Sequence, residues 1–221
     1  NDASPDLYVA NGNKSGQTAK DYCTRFWCHD IYSGGKEHDK AQWQVYLTEA
    51  KTYTTGGGSW NGFEHNHMFM NIDGKNFSDM AFLMNAALEE DCRAVIADDF
   101  NGDGRPDLAI MSQTLNQYRQ SNDLHILMNQ SESSNHWIGV RLGTAPGVSP
   151  MGARVTVGTF NGMQTGVYVA GDSFSAQQAP VKHFGLGQNA SVDYLQITWP
   201  NGEVQRIDNP AVDQYHQVNP K

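Results

Sequence analysis

Apolar and polar residues alternate with a period of two along the C-terminal part of the chain. Trp137, Ile138, Val140 and Leu142 open one run. Val155 and Val157 stand among Arg154, Thr156 and Thr159. Val167, Tyr168 and Val169 follow, and then Val192, Tyr194, Leu195, Ile197 and Trp199. Successive side chains of a strand leave opposite faces, so this rhythm predicts half-buried strands. FNGM at 160–163 and PNGE at 200–203 each carry Asn-Gly, which accepts the positive φ that tight hairpins demand. The expectation is a small β-sandwich or barrel over 136–221, with Phe184, Leu186 and Trp199 in its core. The polar stretch SESSN at 131–135 reads as the linker before it, leaving residues 1–130 as a first domain.

In that first part, RAVIAD (93–98) and DLAIM (107–111) read as strands, as does HNHMFMN (65–71), which puts His65, His67, Phe69 and Asn71 on one side. His65 and His67 are residue types that bind metals or ligate haem, although strand histidines more often serve packing. Asp73-Gly74 suits the turn of a hairpin. One segment breaks the β pattern. KEHDKAQWQVYLTEAK (36–51) brings Trp43, Tyr46, Leu47 and Ala50 to one face at helical spacing, which predicts a helix inserted between strands and packed on them. TTGGGSWNG (54–62) then makes a loop.

Between RAVIAD and DLAIM the polarity concentrates. Asp99, Asn101, Asp103 and Asp107 occupy positions 1, 3, 5 and 9 of a loop, with Gly102 and Gly104 between them. Carboxylates this close repel one another unless a cation sits among them. Alternate oxygen side chains converge when the backbone curls, and glycine permits the curl. The backbone carbonyl of Arg105 completes the set, and a shell of hard oxygens suits Ca2+ better than the stricter Mg2+. The loop is not an EF-hand: Ile110 stands at position 12, where that motif has a bidentate Glu, and the flanks are strands. The chain opens on a related phrase. Aligning the Pro-Asp-Leu triplets of NDASPDLYVANGN and NGDGRPDLAIMSQ sets Asp2 on Asp103 and Asp6 on Asp107, a partial second calcium loop. Self-similarity of this kind belongs to repeat architectures such as propellers, so residue 1 is expected to lie inside a repeat of a larger protein.

The composition agrees with a metal-binding β protein. The chain has 221 residues, 22 of them Gly, 38% hydrophobic and 18% charged, with a formal net charge of −9. That balance repels phosphate backbones and argues against nucleic acid as a partner. No run approaches the eighteen apolar residues of a membrane span, and no signal peptide opens the sequence.

Two further constellations carry chemistry. CTRFWCH sets Cys23 and Cys28 four residues apart with His29 next, a spaced form of the haem c attachment pattern. The alternatives are a Cys23–Cys28 disulfide, a disulfide from either to Cys92, or free thiols. All fit an extracytoplasmic home. Ser173, His183 and Asp193 are the residue types of a hydrolase triad, yet GDSFS lacks the glycine of a nucleophile elbow. His183 is expected to be a packed histidine bonded to backbone, and no enzymatic activity is assigned. Asn13, Asn76, Asn129 and Asn189 each head an Asn-x-Ser sequon.

ADDFNGDGRPDLAI resembles the FG-GAP or VCBS repeat, which builds blades of calcium-binding β-propellers. NHWIGVRLGT, GARVTV and HFGLGQNASVDYLQITWPNGEVQRI resemble the ASPIC and UnbV domain. DLYVANG, SWNGFEHN and LEEDCRAVIADDFNGDG are similar to the blades that precede this domain in the cartilage acidic protein family and its bacterial relatives. The resemblance implies an all-β fold: a partial β-propeller with an inserted helix, followed by a small β-domain. It implies a secreted, cell-surface or periplasmic calcium-binding scaffold for adhesion, binding or extracellular assembly, including filaments or surface layers, with a protein or glycan partner or with further copies of itself. In that family the position of Cys28 is commonly another residue, which weighs against haem. The alternative remains an extracytoplasmic electron-transfer subunit carrying covalent haem on Cys23, Cys28 and His29.

Overall fold

The computed structural model describes residues 1–18, 44, 47, 48, 51, 57–115 and 120–221. The described chain is all-β. Its strands are β1 (Leu7–Val9), β2 (His67–Asn71), β3 (Phe77–Asp79), β4 (Cys92–Asp98), β5 (Asp107–Leu115), β6 (Gln120–Leu127), β7 (His136–Leu142), β8 (Arg154–Thr159), β9 (Gly162–Val167), β10 (Val181–Gly187), β11 (Tyr194–Thr198), β12 (Val204–Asp208) and β13 (Tyr215–Val218). They form four sheets, ordered β1-β2-β3, β4-β5-β6, β10-β7-β13 and β12-β11-β8-β9. Among the described residues no sheet closes into a barrel. Of the expected helix, Gln44, Leu47, Thr48 and Lys51 are helical, and the Thr48 hydroxyl donates to the Gln44 carbonyl at 2.8 Å. Leu47 is exposed rather than packed. The rest of that segment lies outside the described residues.

The two C-terminal sheets share one core, as the period-two pattern dictates. Ile138, Val140 and Leu142 of β7 and Phe184 and Leu186 of β10 face Val155 and Val157 of β8 and Leu195 and Ile197 of β11, with Tyr168 and Trp199 filling the ends. Each large apolar side chain removed from water contributes about 1.5–3 kcal/mol. The Tyr168 hydroxyl enters this core because it donates to the Val140 carbonyl at 2.6 Å, and burial raises its pKa. The hairpins fall at the Asn-Gly pairs: Thr159 pairs with Gly162, and Gly202, at φ +88°, closes the turn from Trp199 to Glu203. One pairing has no local signal. β13 joins β7 in parallel, while the other strand pairs are antiparallel.

The two N-terminal sheets are antiparallel meanders, and they repeat one another where the sequence does. Asp6 Oδ1 accepts the Asn71 N–H at 2.9 Å, and the Asn71 side-chain amide donates to the Pro5 carbonyl at 3.2 Å. Asp107 Oδ1 accepts the Asn129 N–H at 2.7 Å, and the Asn129 amide donates to the Pro106 carbonyl at 3.2 Å. In the first copy Asp6 directly precedes β1 and is latched by Asn71, the last residue of β2; in the second Asp107 begins β5 and is latched by Asn129, just past β6. In the first copy the Asp73-Gly74 turn follows: Asp73 Oδ1 accepts the Lys75 and Asn76 N–H groups, and Gly74 sits at φ +75°.

Candidate functional site

The loop at 99–107 leaves β4 and enters β5. Gly102 and Gly104 adopt φ of +77° and +82°, the left-handed values that allow the chain to fold back over Asp99. Asp99 is 7% exposed, and its carboxylate is wrapped by donors. Oδ1 accepts the N–H groups of Gly102 (2.7 Å) and Asp103 (3.0 Å), while Oδ2 accepts the Gly104 N–H (2.8 Å) and the Tyr215 hydroxyl (2.9 Å). Asp107 is wholly buried at 0% exposure. Its Oδ2 takes the Phe100 N–H at 3.0 Å, and its other oxygen holds Asn129. Asn101 and Asp103 stay exposed and bonded to each other at 2.7 Å. Asp103 also pairs with the Arg105 guanidinium, and these contacts, led by the Asn101 amide, hold its carboxyl below the usual range. Asp98 Oδ1 accepts the Asp99 N–H at 2.9 Å.

These residues fit Ca2+ in the kind of donor they offer: three carboxylates, one amide oxygen and the Arg105 carbonyl, all hard oxygens. Buried Asp99 and Asp107 form no ion pair with a described residue, and buried carboxylates are costly without compensation. Asp107 carries one hydrogen bond on each oxygen and keeps lone pairs to spare. Asp99 already has four donors, so ligation there requires exchange of one of them. Of the partial second loop, Asp2 accepts the Ser4 N–H at 2.9 Å, and Asp6 holds the Asn71 latch as Asp107 holds that of Asn129.

The loop is also the seam between the halves of the chain, which spacing alone did not reveal. The Trp137 indole lies on the α-carbon of Gly104, where any β-carbon would collide with it. Trp137 stacks on His183 at 5.0 Å and meets Tyr215 edge-on at 4.8 Å, and Arg141 lies 4.3 Å over the Tyr215 ring. Burial, then the bond to Asp99, raises the Tyr215 pKa. Two more bonds cross the seam: Ser173 Oγ donates to the Val95 carbonyl at 2.9 Å, and Gln178 accepts the Ala97 N–H at 3.0 Å.

The other sequence expectations fare unevenly. His183 is packed, but its partner is a side chain and not backbone. Nε2 meets Asn1 Oδ1 at 2.7 Å, Nδ1 has no partner among the described residues, and burial followed by the nearby N-terminal charge lowers its pKa to about 4. Ser173 is engaged with Val95, and the Asp193 N–H donates to the Gly158 carbonyl. Cys92 is a buried free cysteine, with Asn66 donating to its sulfur at 3.2 Å. Burial pushes that thiol's pKa up. Cys23, Cys28 and His29 lie outside the described residues. The Asn129 sequon amide is occupied in its latch. His65 and His67 stand together, with ring centroids 4.5 Å apart, and Asp79 joins them from the neighbouring strand.

Comparison with known proteins adds to this geometry. Residues 143–221 match the family described as ASPIC and UnbV. Cartilage acidic protein 1 of Mus musculus is 30% identical over 126 residues, 53% of this chain and 18% of that protein. The Xenopus tropicalis protein of the same name is 30% identical over 112 residues, 48% of this chain and 16% of the relative. The Homo sapiens one is 29% identical over 126 residues, 53% and 18%. The chain therefore spans less than a fifth of the length of these relatives. Residues 143–221 are thus similar to the ASPIC and UnbV family, and about half of the chain is weakly similar to cartilage acidic protein 1.

Proposed function

We propose that the chain is part of an extracellular calcium-binding scaffold, whose loop at 99–107 holds a Ca2+ ion that stiffens the seam between propeller-type blades and the ASPIC and UnbV domain. One observation carries the reading: Asp99, first residue of the loop, is bound by Tyr215 of the second domain at 2.9 Å. A cation drawing on Asp99, Asn101, Asp103, Asp107 and the Arg105 carbonyl would neutralise the buried carboxylates and fix the backbone that Trp137 and Tyr215 grip. Its role is structural.

The recurrence of the Pro-Asp-Leu latch at Asn71 and Asn129 supports reading the two meanders as successive blades of a propeller. The relatives' name, which places an acidic protein in cartilage, fits an extracellular home for a chain of net charge −9. No described helix is long and apolar enough to cross a membrane. Adhesion or assembly through a protein, a glycan or further copies of the chain is the activity such a scaffold serves.

Calorimetric titration of the metal-free chain with CaCl2 tests the site. The reading expects one strong site per chain, lost or weakened at least about tenfold in Asp103→Ala, because each ligand's charge tunes affinity. Absence of binding, or equal binding by Asp103→Ala, overturns it.

A further inference from the structure

His65, His67 and Asp79 lie in the first meander, apart from the loop at 99–107. Residues two apart on an extended chain project to the same side, so His65 and His67 stand together, with ring centroids 4.5 Å apart. Register adds the third residue. In the antiparallel β2–β3 pair Phe69 lies opposite Asp79, which makes Asp79 the diagonal neighbour of His67, within side-chain reach. His67 Nδ1 and Asp79 Oδ2 are 2.6 Å apart. One donor atom from each of the three side chains falls within 4.8 Å of the others, and among the described residues this is the one trio of His, Cys, Asp or Glu that does so.

We propose that His65, His67 and Asp79 bind a divalent first-row transition-metal ion of the zinc class, with the remaining coordination left to water or an incoming donor. Three features make the trio a site and not merely an ion pair. First, the donors are two imidazole nitrogens and one carboxylate oxygen, a set that suits borderline cations such as Zn2+ and is poor for Ca2+ or Mg2+. Second, the carboxylate is held in place. Asp79 Oδ1 accepts the backbone N–H groups of Ala81 at 3.0 Å and Met68 at 3.3 Å, which aims Oδ2 at the histidines. The imidazoles are braced too, since His65 packs on Phe82 at 4.6 Å and His67 stacks on Phe69 at 5.4 Å. Third, access is open without the site being loose: the side chains of His67 and Asp79 are 29% and 32% exposed.

The adjustment required is small. With bonds of about 2.1 Å, ligand atoms of a tetrahedral zinc shell stand about 3.4 Å apart. The present spread contracts to that by side-chain rotation, while the close His67–Asp79 contact opens. Three protein ligands leave a fourth position, the arrangement that distinguishes open zinc sites from closed structural ones.

The test is titration of the chain, stripped of metal and held in excess Ca2+, with Co2+ followed by visible absorption and with Zn2+ by calorimetry. One equivalent is expected, with the visible bands of low-coordinate Co2+. His67→Ala, His65→Gln and Asp79→Asn should each weaken binding at least about tenfold. His125→Ala, at a histidine bonded to Ser112 outside the trio, should bind as the parent does. Asp103→Ala should also bind as the parent does, which separates this site from the calcium reading. Metal-free melting midpoints of the variants, matched to the parent, establish that each is folded. Absence of a one-equivalent site overturns the proposal. So does retention of affinity within twofold in Asp79→Asn or in either histidine variant that melts as the parent does.

Discussion

The Tyr215 hydroxyl donates to Asp99 Oδ2 at 2.9 Å across 116 residues of sequence. A phenol from the last strand thereby completes the hydrogen bonding of a buried carboxylate in the first half of the chain. Tyr215→Phe removes that donor and leaves the three N–H bonds of Asp99 in place. A hydrogen bond to a charged group is worth about 1.5–3 kcal/mol, so urea unfolding should show Tyr215→Phe less stable by an amount in that range. A change below about 0.5 kcal/mol would mean that the contact does not couple the two parts.

Gly104 serves the same seam by being absent as a side chain. Its φ of +82° is strained for alanine, and a β-carbon there meets the Trp137 indole. Gly104→Ala should cost about 2–4 kcal/mol, combining left-handed strain with overpacking, and should alter the near-UV dichroism of Trp137. Gly74→Ala, at φ +75° with open space around it, carries the strain alone and should cost about 1–2 kcal/mol.

His183 gives the seam a pH dependence. Its folded pKa is about 4 against an ordinary 6.5, chiefly through burial. The unfolded chain takes up this proton near pH 6.5 and the folded one does not, so the stabilisation is whole above pH 6.5 and is lost as pH falls toward 4. At 1.36 kcal/mol per unit, the loss reaches about 3 kcal/mol near pH 4. His183→Phe keeps a ring against Trp137 and cannot titrate. The difference in unfolding free energy between the two proteins should therefore grow in the variant's favour from pH 7 to pH 4. A constant difference would show that His183 is readily protonated where it lies.

Covalent haem has a direct optical test. The calcium-scaffold reading predicts a colourless protein after acid–acetone extraction. A Soret band that survives extraction would move Cys23, Cys28 and His29 to the centre of an electron-transfer function.

How much of this was legible in the sequence divides by distance along the chain. Strands, hairpins and the buried Phe184, Leu186 and Trp199 follow from period-two alternation and Asn-Gly pairs, which are local. The Pro-Asp-Leu repeat was visible as a phrase, but its Asn71 and Asn129 latches were not, because the asparagines lie 65 and 22 residues from their aspartates. Asp79 could not be joined to His65 and His67 without the β2–β3 register. Tyr215 reaches Asp99 only because β13 pairs in parallel with β7, a non-local choice with no turn to announce it. The partner of His183 was misread for the same reason, since a residue at the far end of the chain supplies it. Cys92 was one of three cysteines in the sequence, and nothing local announced that Asn66, 26 residues away, would donate to its sulfur.

Differential scanning calorimetry of the chain in CaCl2 and in chelator tests the central claim most directly. If Ca2+ in the 99–107 loop ties the seam, the melting midpoint rises with calcium as mass action requires, the two halves unfold in one transition, and Asp103→Ala abolishes the rise. A midpoint that is the same in calcium and in chelator would contradict the account.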